Sequence, residues 1–189
     1  MPKLPDRPPI EVRTSKIQGR GVFATRRIRK GATIVEYTGE RISTDDADAR
    51  YDDDAQERTH TFLFTVSKNT VIDATREGSD ARFINHSCEP NCASYLDDAR
   101  IFIEAVKNIP EGTELAYDYM LERGGGGTRR DWEKRYPCNC GTEKCRETLL
   151  APKKKSASRK AAKPPKTAKS TNAPAKPPKA AQRKRAAAP

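Results

Sequence analysis

The chain has 189 residues, with 37 Lys and Arg against 26 Asp and Glu for a net charge of +11, enough for one ordinary domain and an appendage. No apolar run approaches the roughly 18 residues of a membrane-spanning helix, and residues 1–10 hold four prolines and no apolar core of a secretory leader. The expected setting is intracellular and soluble, with no membrane partner, where thiols stay reduced; five cysteines in such a chain point to a metal site rather than disulfides.

Residues 10–13 alternate and open a series of short β-type runs. Residues 21–24 follow the triplet Gly19-Arg20-Gly21, and residues 33–37 follow the turn Lys30-Gly31. Ser43 or Thr44 caps a helix with Asp45 and Asp46 in its first turn. Residues 47–57 are polar almost all round, so this helix lies at the surface. It carries Asp45, Asp46, Asp48, Asp52, Asp53, Asp54 and Glu57 against Arg50 and Arg58. Residues 61–66 are β-branched and aromatic, and residues 70–73 follow Lys68-Asn69. Residues 100–106 put Ile101, Ile103 and Ala105 on one face, and residues 114–119 follow Pro110-Glu111-Gly112. Residues 124–127 are a glycine break before a cysteine-rich end. The expected fold is mostly β, in several small sheets, with little helix.

The charge divides near Ala151. Residues 152–189 hold thirteen Lys and Arg and no acid, so the other 24 basic residues face all 26 acidic ones. The tail of Lys, Ala and Pro has nothing to bury and is expected to be disordered. Its charge suits a phosphate backbone, which makes nucleic acid the expected tail partner through salt-dependent contact without base reading. A merely solubilising tail is the alternative.

Cys138, Cys140 and Cys145 place three thiols within eight residues. Zinc takes four ligands in a closed structural site, so a fourth must come from Cys88 or Cys92, the remaining thiols. Residues 136–150 have too little apolar content to dock alone, which a bound metal would offset. All-cysteine sites are structural, and His60 and His86 are too few for a hydrolytic centre.

Arg82-Phe83-Ile84-Asn85-His86-Ser87-Cys88-Glu89-Pro90-Asn91-Cys92 is a polar run between strands. Glu114-Leu115-Ala116-Tyr117-Asp118-Tyr119 sets two tyrosines on one strand face. Singly, these read as turn chemistry and packing. Together with Pro137–Cys145 and with Gly19-Arg20-Gly21-Val22-Phe23-Ala24, in this order along the chain, they resemble the defining motifs of the SET-domain protein lysine methyltransferases. The cysteine segment resembles the post-SET extension of that family's trithorax-like branch. The likeness covers about residues 11–150. It implies an N-terminal extension at 1–10, a SET domain at 11–122, a linker and zinc-bound post-SET segment at 123–150, and the tail at 151–189.

The resemblance implies small curved sheets around a pseudoknot, S-adenosylmethionine as methyl donor, and a lysine-rich protein substrate of histone or histone-like type at chromatin or a nucleoid. It implies that Gly19, Arg20, Gly21, Tyr51, Arg82, Asn85 and His86 contact the cofactor. It makes Tyr119 the catalytic tyrosine and Tyr117 the residue limiting how many methyl groups fit, with mono- or dimethylation the main outcome. It makes Cys88 the fourth zinc ligand beside Cys138, Cys140 and Cys145. The protein is expected to be a monomer. The acidic helix can steer a basic peptide, and the chain's own tail is such a peptide. The competing expectation is a catalytically weak, zinc-stabilised, DNA-associated binding protein with the same fold.

Overall fold

The computed structural model describes residues 2–51, 62–123 and 126–153. The expectations for Asp52, Asp53, Asp54, Glu57, Arg58, His60 and Thr61, for the first two glycines of the break, and for the tail beyond Lys153 lie outside these residues.

In chain order the strands are β1 (Ile10–Thr14), β2 (Arg20–Ala24), β3 (Thr33–Tyr37) and β4 (Glu40–Ser43), followed by helix α1 (Thr44–Arg50). Next come β5 (Leu63–Ser67), β6 (Thr70–Asp73), a 3-10 turn at Asp80–Phe83, β7 (Asn85–His86), β8 (Cys92–Asp97), β9 (Arg100–Ala105) and β10 (Glu114–Tyr117). Helix α2 (Arg129–Arg135) precedes the cysteine-rich end. The strands form three small sheets, ordered β1-β2-β10-β7, β3-β9-β8 and β4-β6-β5. No helix among the described residues is long and apolar enough to cross a membrane.

The alternating residues of β2, β3 and β9 meet in one core: Val22, Ala24, Ile34, Ile103 and Ala105 are all buried there, with Leu115 of β10. β9 is central in its sheet: Ile101, Ile103 and Ala105 join the core on one face, as expected, and Phe102 is buried on the other. β8 and β9 are joined at Asp98 and Ala99, both at positive φ (45° and 57°). A two-residue hairpin needs that backbone, but it is normally signalled by Asn or Gly, so β8 is hidden from a reading for turns. Ser43 caps α1 by accepting from the Asp46 N–H. The helix ends at Arg50. α2 starts from a capping box between Thr128 and Asp131.

Two departures shape the site. β10 stops at Tyr117 rather than at residue 119, because the backbone turns at Met120 (φ 51°). The two-residue strand β7 pairs with β10 in parallel, Asn85 with Ala116 and His86 with Tyr117. This lays the 85–92 run beside the tyrosine segment, as the sequence motifs imply. The segment after α2 returns to this place. Leu121 N–H donates to the Leu149 carbonyl, Ala151 N–H donates to Leu121, and Leu150 is buried.

Candidate functional site

β10 is held from both sides by side chains that the motifs leave unassigned. The buried Asn91 amide donates to the Glu114 carbonyl at 2.7 Å and accepts from the Ala116 N–H at 2.8 Å, imitating a strand neighbour. Its own N–H reaches the Ala116 carbonyl at 3.1 Å, and Ser87 N–H reaches that of Tyr117. The Glu114 carboxylate accepts from Ser15 at 2.7 Å and from the Asn85 amide at 2.9 Å. In sequence, Asn91 belongs to a turn-forming run and Glu114 only opens a strand; their work shows when the two segments are side by side.

The residues expected to face the cofactor fall into distinct settings. The Asn85 amide also donates to the Arg20 carbonyl at 3.0 Å, tying β7 to the start of β2. Gly19 sits at φ 47°, and the space where a Cβ would project is open. Gly21 is needed for another reason. A Cβ there would strike the Glu114 carboxylate and come within 2.9 Å of the Ser15 Cβ, so internal packing excludes a side chain. The exposed Arg20 lays its guanidinium 3.8 Å over the ring of the buried Phe83, and Arg82 lies 4.7 Å from the same ring. Arg82 donates to the carbonyls of Ala74 at 2.9 Å and Gly78 at 3.1 Å. The Tyr51 hydroxyl is shared by Asp73 Oδ2 and Thr75 Oγ1, both at 2.9 Å, and no described contact joins it to Asn85 or His86. Asp73, fully buried in its side chain, also receives Arg50 at 2.7 Å and Thr75 N–H at 2.9 Å.

His86 is committed inside the protein. Its Nδ1 accepts from the Tyr119 N–H at 3.1 Å, and its Nε2 lies 3.4 Å from the Cys88 Sγ. Burial lowers its pKa to about 4, and a neutral ring accepting at Nδ1 carries its proton on Nε2, aimed at the sulfur.

The two tyrosines come together as expected, with ring centroids 5.0 Å apart. They continue an aromatic series: Tyr117 stacks on Phe64 at 6.2 Å, and Phe64 tilts against Tyr37 at 5.2 Å. Tyr119 donates to the Ile84 carbonyl at 2.8 Å and Tyr37 to that of Phe62 at 2.9 Å. Among the described residues no hydrogen bond fixes the Tyr117 hydroxyl. Burial pushes the pKa of all three phenols up, so they stay protonated at neutral pH. They can orient a partner by hydrogen bonding but are not bases. Asp118, the carboxylate nearest in sequence, is taken by a bidentate ion pair with Arg146, both bonds at 2.7 Å.

Of the two remaining thiols, the structure brings Cys88 rather than Cys92 to the three clustered cysteines. Cys88, Cys138, Cys140 and Cys145 bring their sulfurs within 4.8 Å of one another, with Cys88 and Cys138 at 3.8 Å. A tetrahedron of Zn–S bonds has sulfur edges of about 3.8 Å, so this donor set fits zinc. Cys92 is buried in β8, where burial raises its thiol to about 12. Because Cys88 lies two residues beyond β7, a metal here would pin the cysteine-rich segment to the same stretch that supports β10.

Residues 19–120 match the family model described as "SET domain". The chain is 38% identical over 147 residues to "Histone-lysine N-methyltransferase trithorax" of Drosophila virilis, covering 74% of this chain and 4% of that protein. It is 40% identical over 148 residues to the "Histone-lysine N-methyltransferase, H3 lysine-4 specific" of Neurospora crassa, covering 75% and 11%. The protein of the same description in Saccharomyces cerevisiae is 39% identical over 152 residues, covering 75% and 13%. The chain therefore spans only a small part of the length of these relatives.

Proposed function

The chain belongs to the SET-domain family, and from that premise we propose that it transfers methyl groups from S-adenosylmethionine to lysine side chains of a basic protein of histone or histone-like type. The observation that carries the reading is the pair of protonated phenols, Tyr119 and Tyr117, set 5.0 Å apart in an aromatic series beside the 85–88 segment. The cofactor supplies an electrophilic methyl group on a sulfonium. The exposed Arg20, next to the open face of Gly19, would offer a counter-charge to the amino-acid carboxylate of such a molecule.

The lysine ammonium, with an ordinary pKa near ~10.4, cannot attack until it loses a proton. Burial among Tyr37, Phe64, Tyr117 and Tyr119 favours its neutral form. Since Asp118 is bound to Arg146 and the phenols hold their protons, the proton leaves to water. Tyr119, fixed through Ile84 and His86, orients the reacting groups, and the aromatic lining shields them from bulk water. The unengaged Tyr117 hydroxyl can bond the amine or hold a water. This supports mono- or dimethylation as the main outcome. Zinc at Cys88, Cys138, Cys140 and Cys145 would hold the chain end against the site.

Substrate and setting follow the same chemistry. A Lys-rich tail of thirteen basic residues is suited to polyanion contact, so we place the protein at chromatin or a nucleoid, with basic DNA-associated proteins as substrates. The test is a screen of basic proteins with labelled cofactor, comparing wild type with Tyr119→Phe. Label on lysines that falls sharply in the variant supports the reading. Cofactor binding without turnover on any basic protein refutes it in favour of a binding role.

A further inference from the structure

We propose that Arg146 and Asp118 form a clasp through which the cysteine cluster sets the position of Tyr119, making both of them positioning residues of the reaction proposed above, on which this inference rests. Arg146 directly follows the cluster residue Cys145. Its N–H donates to the Cys88 Sγ at 3.3 Å, so its backbone is fixed by a cluster sulfur. Its guanidinium grips both oxygens of Asp118 at 2.7 Å, the planar fork geometry that holds a carboxylate in one orientation.

The held carboxylate has a second task. Asp118 Oδ1 accepts from the Met120 N–H at 3.1 Å, closing a tight turn over Tyr119. That turn keeps Met120 at φ 51°, a left-handed backbone that a non-glycine residue adopts only at a cost. The turn is what ends β10 and swings Tyr119 toward Ile84 and His86. If Asp118 is released, the chain can relax to continue the strand and move the Tyr119 hydroxyl. Arg146 Nε is also the one buried side-chain nitrogen or oxygen among the described residues with no hydrogen-bond partner. Burying it unpaired is unfavourable, and the gain set against that is the orientation of Asp118. The path therefore runs from cluster sulfur to Arg146, to Asp118, to the Met120 turn and to Tyr119, each step a contact of this structure.

The experiment uses the full chain loaded with zinc and substitutes Arg146→Gln, Arg146→Lys and Asp118→Asn. Zinc per chain, amide hydrogen exchange at Tyr119 and Met120, and steady-state kinetics on a basic peptide are measured. Arg146→Gln should keep wild-type zinc content, speed exchange at both amides roughly tenfold or more, and lower kcat roughly tenfold to a hundredfold, the scale of a misplaced reacting group. KM for peptide and cofactor should stay within about twofold. Arg146→Lys, which keeps the charge, should recover part of kcat, and Asp118→Asn combined with Arg146→Gln should cost no more than the worse single change. Unchanged exchange at Tyr119 and Met120, zinc lost in proportion to activity, or additive losses in the double variant would each overturn the clasp. A wild type without turnover on any basic peptide would instead refute the proposed activity, and the exchange data would still decide the clasp.

Discussion

Replacing Asn91 with Ala should be among the most damaging single changes to this domain outside its apolar core. The side chain makes two bonds to β10, to the Glu114 carbonyl and from the Ala116 N–H. Alanine leaves the buried Ala116 N–H without a partner, which costs about 1–3 kcal/mol, and forfeits the carbonyl bond for about 1 kcal/mol more. A loss of about 2–4 kcal/mol follows, a large fraction of the ~5–15 kcal/mol typical of a domain. In urea, at a slope of about 1–3 kcal/mol per molar, the unfolding midpoint should fall by roughly 1–2 M with the slope unchanged. Equilibrium unfolding followed by circular dichroism measures this. A midpoint within about 0.3 M of wild type would show that β10 does not depend on Asn91, and the argument that this side chain stands in for a strand neighbour would fail.

Tyr117→Phe should leave stability almost unchanged, because no described hydrogen bond is lost, while shifting the product toward more methyl groups per lysine. Mass spectrometry of a methylated peptide reads the distribution, and dominant trimethylation by the wild type would contradict the role given to Tyr117. Zinc removal by a chelator should abolish turnover and deprotect residues 138–150 in hydrogen exchange. Cys88→Ser should lower the zinc content where Cys92→Ala does not, and equal zinc loss in both would overturn the assignment of ligands. Asp73 gives a pH prediction. Burial alone would raise its carboxyl, but bonds from Thr75, Arg50 and Tyr51 outweigh that and hold it below the ordinary value. Its stabilising contribution is complete above the unfolded carboxylate range, about pH 4, and is lost as pH falls through the lowered folded value. Asp73→Asn should therefore destabilise at pH 7 and match wild type more closely as pH falls below about 4; a constant gap in urea midpoints across that range would refute it.

Several parts of this fold were legible because the residues advertise them. The strands at Thr33–Tyr37 and Thr70–Asp73 follow turn formers and are rich in β-branched residues, and Ser43 with Asp45 and Asp46 marks a helix start. Other elements carry no such signal. β7 is two residues long, and only its pairing with β10, 31 residues away in sequence, makes it a strand. The β8–β9 turn is built from Asp98 and Ala99, with alanine at positive φ where glycine is usual. The site shows the same division. Residue types and order pointed to Tyr117, Tyr119 and the cysteines, while the choice of Cys88 over Cys92 became visible from the residues only with the fold. The glycine motif is legible, and the structure adds a reason for Gly21, which makes room for Glu114. Arg146, Glu114 and Asn91 are common polar residues, and their roles arise from long-range contacts.

The central claim is tested most directly by incubating the zinc-loaded protein with isotopically labelled S-adenosylmethionine and a basic histone-type protein, then locating the label by peptide mass spectrometry. Lysine ε-nitrogens that gain labelled methyl groups with wild type, and gain almost none with Tyr119→Phe, are the predicted result. Bound cofactor with no labelled lysine, or equal labelling by the Tyr119→Phe variant, would contradict the account.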